Sequence, residues 1–172
     1  MGPDDYKINV DLTRQVLQLL GPASAQGKQG TGGVMRAYPV STGKNGIGEM
    51  LDSGCTPRGR HSIAEMIGAG HAPNTVFVGR RPTGEIYDAD LRLQFPERDW
   101  ILTRIIWLQG EEPGINQGGT VDTYRRYIYI HGAPDDVQMG VPGSAGCIRM
   151  RNRDVIELFE LVSEGCEVNL FE

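Results

Sequence analysis

The chain has 172 residues, 39% of them hydrophobic and 23% charged, which favours a single globular domain over residues 1–172. Its formal net charge is −5 and it has no basic run, so a nucleic-acid-binding surface is not expected. No apolar stretch is long enough to span a membrane.

The segment from Val16 to Gly27 imitates the end of a secretory signal, with Ala23-Ser24-Ala25 as a cleavage-like site. The residues before it are acidic, and the apolar run is short and broken by Gln18. As written, the chain is therefore expected to be cytoplasmic. If a leader has been removed, a periplasmic location is expected instead.

Glycines and prolines are frequent, 24 and 10 residues, which predicts short strands and tight turns rather than a helical bundle. Alternating or β-branched runs predict most of the strands. An N-terminal hairpin comes first, and Pro39 suits an edge position in the strand that follows. The predicted strands cover residues 6–12, 16–20, 34–43, 74–80, 100–110, 123–132 and 166–172, with a turn and a short strand over 81–88.

One helix is clearly predicted, near the C-terminus. Val155, Phe159 and Val162 repeat at helical spacing, Asn152 is the expected N-cap, and Gly165 is the expected stop. The remaining segments, including 21–33 and 44–60, are predicted as loops. The chain is therefore expected to be mainly β, an orthogonal sandwich or barrel with one clear C-terminal helix.

The stretch IYIHGAPDDVQMGVPGSAGCIRM, residues 128–150, holds the chemically suggestive residues. His131 ends a predicted strand, and Cys147 follows 16 positions later, after a loop rich in glycine and proline. A cysteine nucleophile needs a base and donors for the oxyanion that forms. The tight turn before Cys147 can aim backbone N–H groups at one point, and an activated thiolate is expected there.

The motif YIYIHG followed by GVPGSAGCIRM resembles the L,D-transpeptidase catalytic domain, the YkuD-type family. The resemblance extends to the N-terminal hairpin, YPVSTGKNG, the TPRG turn and the C-terminal helix with its VNL strand. It therefore covers nearly the whole chain. It implies the fold of that domain and acyl transfer on peptidoglycan stem peptides.

The resemblance also implies roles for particular residues. Cys147 would be the nucleophile, His131 its general base and acid, and the Gly132 carbonyl would orient the histidine. Backbone N–H groups of Cys147, Gly146 and Ala145 would hold the oxyanion. Many family members have a second histidine where this chain has Ala145, so any side-chain role there is lost.

Ser144 and Arg149 match the motif as substrate-binding residues, and Arg149 would shape the pocket or meet a substrate carboxylate. The implied substrates are tetrapeptide stems or muropeptides, cut between the L-centre of a diamino acid and D-Ala. Transfer to a second stem would give a 3–3 crosslink, and transfer to water an L,D-carboxypeptidase product. Acylation by a carbapenem is also implied, and no metal or organic cofactor is required.

Several alternatives stay open at this stage. Cys147 could be a buried structural thiol, and the domain a non-catalytic peptidoglycan-binding module. A zinc site from His131, Cys147 and Cys166 lacks the paired spacing that such sites use. Cys166 is expected in the core and Cys55 in a polar loop without a catalytic role. His61 and His71 are expected at the surface or in loops, and Arg125 and Arg126 on opposite faces of a strand.

Overall fold

The structure is a computed structural model that describes residues 5–22 and 32–172. Ten strands and two α-helices follow one another in this part of the chain. They are β1 (Lys7–Asp11), β2 (Val16–Leu20), β3 (Val34–Pro39), β4 (Gly59–Ile67), β5 (Thr75–Val78), β6 (Arg81–Ile86), α1 (Ala89–Gln94), β7 (Ile101–Gly110), β8 (Tyr129–Ala133), β9 (Ile148–Arg151), α2 (Asn152–Leu161) and β10 (Glu167–Phe171).

The strands form a single sheet in the order β3-β2-β1-β10-β4-β7-β5-β6, and β8 and β9 continue from β7 as a branch. The β1–β10 and β8–β9 pairs are parallel and the other pairs are antiparallel. Helix α2 packs against β7, β8 and β9. The predicted mainly β architecture with a C-terminal helix is therefore confirmed.

The main core lies where the period-two pattern predicts it. Ile8 and Val10 of β1 and Val168 and Leu170 of β10 are buried, because alternate side chains of a strand share one face. The N-terminal hairpin is present, with β1 and β2 paired antiparallel. Pro39 ends the edge strand β3, as its missing N–H requires.

Strand β4 was not predicted, and it occupies the middle of the sheet between β10 and β7. Its register with β7 shifts between Ile63 and Glu65, which interrupts the simple alternation of apolar side chains. The prediction that His61 lies at the surface is wrong, since this β4 side chain is buried. Its Nδ1 lies 2.9 Å from the Gly59 carbonyl oxygen, and its Nε2 lies 2.9 Å from the Thr123 hydroxyl.

The prediction of a strand over residues 123–132 is too long, because β8 begins at Tyr129. Arg125 and Arg126 lie in a turn instead. Helix α1 was also missed, although Asp88 caps it by accepting a hydrogen bond of 2.8 Å from the Leu91 N–H. His71 lies in an exposed loop, as predicted.

The predicted helix is present as α2, but both of its predicted ends are wrong. Arg151 occupies the N-cap position, and the helix ends at Leu161 rather than near Gly165. The Asn152 side chain bonds across the fold instead, accepting from the Thr103 hydroxyl and donating to Asn74. The predicted loop over residues 21–33 lies largely outside the described residues.

None of the helices in residues 5–22 and 32–172 has the length and apolarity needed to cross a membrane.

Stability should fall at acid pH because of His61. Burial lowers the pKa of His61 to about 4 from its ordinary 6.5, so protonation favours the unfolded chain. The contribution of the neutral ring is present above pH 6.5 and is lost as the pH falls toward 4. The loss should reach about 3 kcal/mol.

Urea unfolding of the wild type and of His61→Gln between pH 7 and pH 4 measures this contribution, because subtraction cancels the shared carboxylate titrations. The wild-type free energy of unfolding should fall more steeply than that of the variant. Parallel curves would contradict the assignment.

Candidate active site

The parallel pairing of β8 with β9 brings the two motif residues to one face of the sheet. His131 lies opposite Arg149 in this register, and Ile130 lies opposite Ile148. The two isoleucines belong to the main core. Because side chains alternate along a strand, His131 and Cys147 both point to the other face, toward a second apolar cluster.

His131 is held by the backbone next to it. Its ring is buried, and Nδ1 lies 2.7 Å from the Gly132 carbonyl oxygen. Because a carbonyl oxygen can only accept, Nδ1 carries the hydrogen and Nε2 is left as the basic nitrogen. A Cβ at Gly132 would lie 2.4 Å from the Asn152 Oδ1 and 2.6 Å from the Leu102 carbonyl oxygen. Only glycine therefore fits where this carbonyl is placed.

Cys147 is half-buried directly before β9, and its thiol is held by backbone groups. Sγ donates to the Tyr127 carbonyl oxygen at 3.3 Å and accepts from the Tyr129 N–H at 3.3 Å. Within the described part of the chain, no hydrogen bond joins this thiol to the His131 ring.

The electrostatic surroundings of Cys147 do not favour the thiolate that the sequence leads us to expect. Burial raises the pKa of Cys147 to about 12, and the nearby Asp99 carboxylate adds to the rise, whereas the Tyr129 N–H and the Arg126 guanidinium oppose it. Burial also lowers the pKa of His131. Near neutral pH both groups are therefore uncharged, and His131 is suited to take the proton as the thiol attacks.

Alkylation of Cys147 should follow this raised pKa. The thiolate is the reactive species, so the rate of labelling by iodoacetamide should keep rising between pH 7 and pH 10. A Cys55→Ser/Cys166→Ser protein isolates the signal, and circular dichroism verifies folding across the range. A plateau reached below pH 8 would show that the thiolate is already formed near neutrality.

The turn before Cys147 is held by Ser144. The buried Ser144 hydroxyl donates to the Cys147 carbonyl oxygen at 2.5 Å and accepts from the Gly146 N–H at 3.1 Å. The Ser144 hydroxyl thus bonds within the turn and fixes its shape, and its substrate-binding role stays a prediction. The Gly146 N–H, predicted as an oxyanion donor, donates to the Ser144 hydroxyl and must exchange this partner to serve in that role.

Gly146 also meets a second loop, residues 43–56, that supports the turn. Its φ is +124°, and a Cβ there would lie 3.0 Å from the Cys55 carbonyl oxygen. The Thr56 hydroxyl donates to the Gly146 carbonyl oxygen at 2.8 Å. Arg126 donates to the Cys55 carbonyl oxygen at 2.6 Å and to the Gly48 carbonyl oxygen at 3.2 Å. Arg126 thus joins the second loop to the site.

Cys147 opens onto a cavity of about 360 Å³. Three aromatic residues and three isoleucines form much of its wall, and two arginines and one aspartate add charge to it. Ala145 also lines it, so this predicted residue lies at the cavity, and its side chain is exposed. The aromatic and charged residues of the wall are Phe77, Tyr127, Tyr129, Arg80, Arg126 and Asp99.

Arg149 lines an adjoining cavity of about 160 Å³, together with Asp99 and Arg92. Its Nη2 donates to the Ser41 hydroxyl at 3.0 Å, and its Nε is buried without a hydrogen-bond partner. A Cβ at Gly143 would lie 2.5 Å from the Arg149 Nη2, so the guanidinium also packs against the loop. These contacts suit the predicted shaping of the pocket, and substrate binding by Arg149 stays a prediction.

The three cysteines lie in different surroundings. Cys166 is buried in the main core and donates to the Tyr6 carbonyl oxygen at 3.2 Å. Cys55 is half-buried in a loop, where Sγ lies 3.5 Å from the Asn45 carbonyl oxygen. Both placements agree with the predictions. The suggested zinc ligands are not brought together, and the described residues contain no cluster of three such side chains.

Sequence patterns missed Asp99, Arg80, Arg126 and the three aromatic residues that line the cavity. The sequence pattern predicts Arg126 in a strand, whereas it lies in a turn beside the cavity. Asp99 precedes Trp100 at the start of a predicted strand, and no local pattern points from it to Cys147. Only the pairing of β7 with β5 and β8 brings these segments together.

Comparison with known proteins agrees with this arrangement. The family model described as the L,D-transpeptidase catalytic domain, YkuD, matches residues 5–170. Over 60 residues the chain is 38% identical to the Bacillus subtilis protein named "Putative L,D-transpeptidase YkuD". This alignment covers 32% of the chain and 37% of the relative, so it spans about a third of each.

Solved structures show the same fold at low sequence identity. Bd1075 of Bdellovibrio bacteriovorus matches with a TM-score of 0.59 and 16% identity, over 98% of this chain and 48% of that one. An L,D-transpeptidase from Mycobacterium smegmatis matches with a TM-score of 0.52 and 19% identity, over 96% and 58%. The chain thus spans about half the length of these proteins. Because the family model covers nearly all of its residues, the chain belongs to the L,D-transpeptidase catalytic domain family.

Proposed function

We propose that this protein is a cysteine acyltransferase that acts on peptidoglycan tetrapeptide stems. The bond cut is the one between the L-centre of the diamino acid at position three and D-Ala at position four. The observation that carries the proposal is the placement of Cys147 on the wall of a 360 Å³ cavity, with His131 oriented on the adjacent strand. Family membership supports the same chemistry.

The proposed reaction has two halves. In the first, Cys147 Sγ attacks the scissile carbonyl carbon while Nε2 of His131 takes the thiol proton. The C–N bond then breaks, D-Ala leaves with the proton from His131, and a thioester remains on Cys147. Backbone N–H groups of the 145–147 turn stabilise the oxyanion when the substrate carbonyl replaces the partner of the Gly146 amide.

In the second half, a nucleophile attacks the thioester and Cys147 takes back its proton. A diamino-acid amine from a second stem gives a 3–3 crosslink, and water gives a tripeptide. The same acyl-enzyme leads to both products. Access of the acceptor to the cavity decides between an L,D-transpeptidase and an L,D-carboxypeptidase.

Mass spectrometry of a disaccharide-tetrapeptide and of the free tetrapeptide tests the proposal. Incubation with the protein should remove one D-Ala from at least one of the two substrates. Tripeptide without dimers identifies the carboxypeptidase, and dimers joined 3–3 identify the transpeptidase. Unchanged substrates would contradict the proposal.

A non-catalytic peptidoglycan-binding module is a second candidate. The observation that favours it is a neutral Cys147 thiol that is held by the backbone and not hydrogen-bonded to His131. A carbapenem distinguishes the two, since a related structure is an L,D-transpeptidase in complex with imipenem. An enzyme should form one covalent adduct on Cys147, whereas a binding module should form none.

A further inference from the structure

We infer that Arg80 binds a carboxylate of the stem peptide and thereby selects free-acid substrates. The inference rests on the proposed function and adds a specificity-determining residue to it. Arg80 lines the same cavity as Cys147. Its position in a tight turn and its aromatic neighbours present the guanidinium as an anion receptor.

Arg80 lies in a two-residue turn between β5 and β6, where Val78 pairs with Arg81. Gly79 and Arg80 have φ values of +56° and +64°. Positive φ at both positions matches the hairpin turn whose twist suits the flanking strands, and Asn or Gly usually fills it. The backbone of an arginine is strained at a positive φ. Strained residues of this kind cluster at functional sites, which points to a function for the Arg80 side chain.

Aromatic side chains hold the guanidinium over the cavity. Its Cζ lies 4.9 Å from the ring centroid of Trp107 and 4.9 Å from that of Tyr127. Nη1 donates to the Tyr129 hydroxyl at 3.4 Å. Stacking of this kind fixes the plane of an arginine without using its hydrogens.

The charge of Arg80 has no counterion in the described residues, since no carboxylate there forms an ion pair with it. A guanidinium has five N–H donors, and only one long hydrogen bond is made here. Such a group suits bidentate binding of a carboxylate. The other arginines near the site are less available.

Arg126 donates to three oxygens of the second loop, those of Gly48, Ser53 and Cys55. Arg149 bonds to Ser41 and lines the adjoining cavity instead. The role of carboxylate binding, which the motif suggested for Arg149, therefore suits Arg80 better.

Tyr129 links the receptor to the nucleophile. Its N–H donates to Cys147 Sγ, and its hydroxyl accepts from Arg80, so one tyrosine separates the two groups. A carboxylate bound by Arg80 therefore has to lie close to the scissile carbonyl in the stem peptide. Two carboxylates meet this condition, the C-terminus of D-Ala and the distal carboxylate of a diaminopimelate-type residue. Both present the same chemistry, and selective amidation distinguishes them.

Calorimetric binding to the Cys147→Ala protein tests the inference without turnover. The ligands are the tetrapeptide with all carboxylates free, versions with one carboxylate amidated, and a fully amidated version. Arg80→Gln is the test variant, and Arg81→Gln is the matched control, because Arg81 is exposed in the same hairpin and does not line the cavity. Arginine and glutamine are both unbranched at Cβ and bear similar strain at this positive φ, so Arg80→Gln preserves the turn.

Arg80→Gln should raise the Kd of the free-acid tetrapeptide by about 10- to 100-fold, while Arg81→Gln changes it less than about twofold. Amidation of the recognised carboxylate should weaken binding to the parent and abolish the effect of Arg80→Gln. The inference would be overturned if the parent and Arg80→Gln bound the free-acid tetrapeptide with equal Kd values. It would also be overturned if Arg80→Gln weakened binding of the fully amidated peptide as much as that of the free acid, or if no peptide bound at all. Arg80-dependent binding by a protein that turns over no stem would refute the proposed function alone.

Discussion

Replacing Cys147 by alanine should abolish release of D-Ala from tetrapeptide stems, a loss of at least about 10³-fold. The side chain makes two long hydrogen bonds to backbone groups and is only half-buried, so the melting temperature should stay within a few degrees of the wild type. Mass spectrometry of the peptide products and thermal unfolding measure the two quantities.

Cys55→Ala is the matched control for this variant. Cys55 is also half-buried, and Arg126 contacts its carbonyl oxygen rather than its thiol. Activity should therefore persist in the control. If Cys147→Ala unfolds, or keeps its activity, the thiol is a structural group and not the nucleophile.

Replacing Gly132 by alanine should have the second largest effect. The added Cβ would meet the Asn152 Oδ1 at 2.4 Å and the Leu102 carbonyl oxygen at 2.6 Å, and the latter is backbone that cannot easily yield. Relief requires β8 to move away from β7, which displaces the carbonyl that orients His131. We expect a loss of about 1–3 kcal/mol in stability and about 100-fold or more in kcat.

Gly140→Ala is the control for the general cost of replacing a glycine by alanine. Gly140 lies in the loop between His131 and Cys147, and a Cβ there would meet no atom within 4 Å, although its φ is +86°. This variant should lose some stability and keep its activity. A Gly132→Ala protein with normal kcat at a temperature where it is folded would show that the Gly132 carbonyl has no part in orienting His131.

The sequence predicts much of this fold because its strands alternate clearly. Ile8, Val10, Val168 and Leu170 mark two buried faces that local patterning alone identifies. Strand β4 escapes this approach because its burial comes from neighbours far away in the chain and its register with β7 shifts between Ile63 and Glu65. The Asn152 side chain likewise forms long-range hydrogen bonds rather than capping α2.

The candidate site likewise contains residues that local sequence identifies and residues that only the fold brings in. His131, Gly132 and Cys147 belong to one contiguous motif, so the sequence suffices to select them. Arg80 and Asp99 come from other segments, and only tertiary pairing brings them to the cavity. The motif also does not predict the pKa of the Cys147 thiol, because burial determines this pKa and burial is a property of the folded chain.

If Cys147 is the nucleophile, it forms a thioester with the stem peptide during the reaction. Rapid acid quenching of the protein with tetrapeptide, followed by intact-mass and peptide mass spectrometry, tests it most directly. We expect an added mass equal to the tetrapeptide less D-Ala, located on the peptide that contains Cys147, with one D-Ala released for each adduct. Release of D-Ala without any adduct, or an adduct on Cys55, would contradict it.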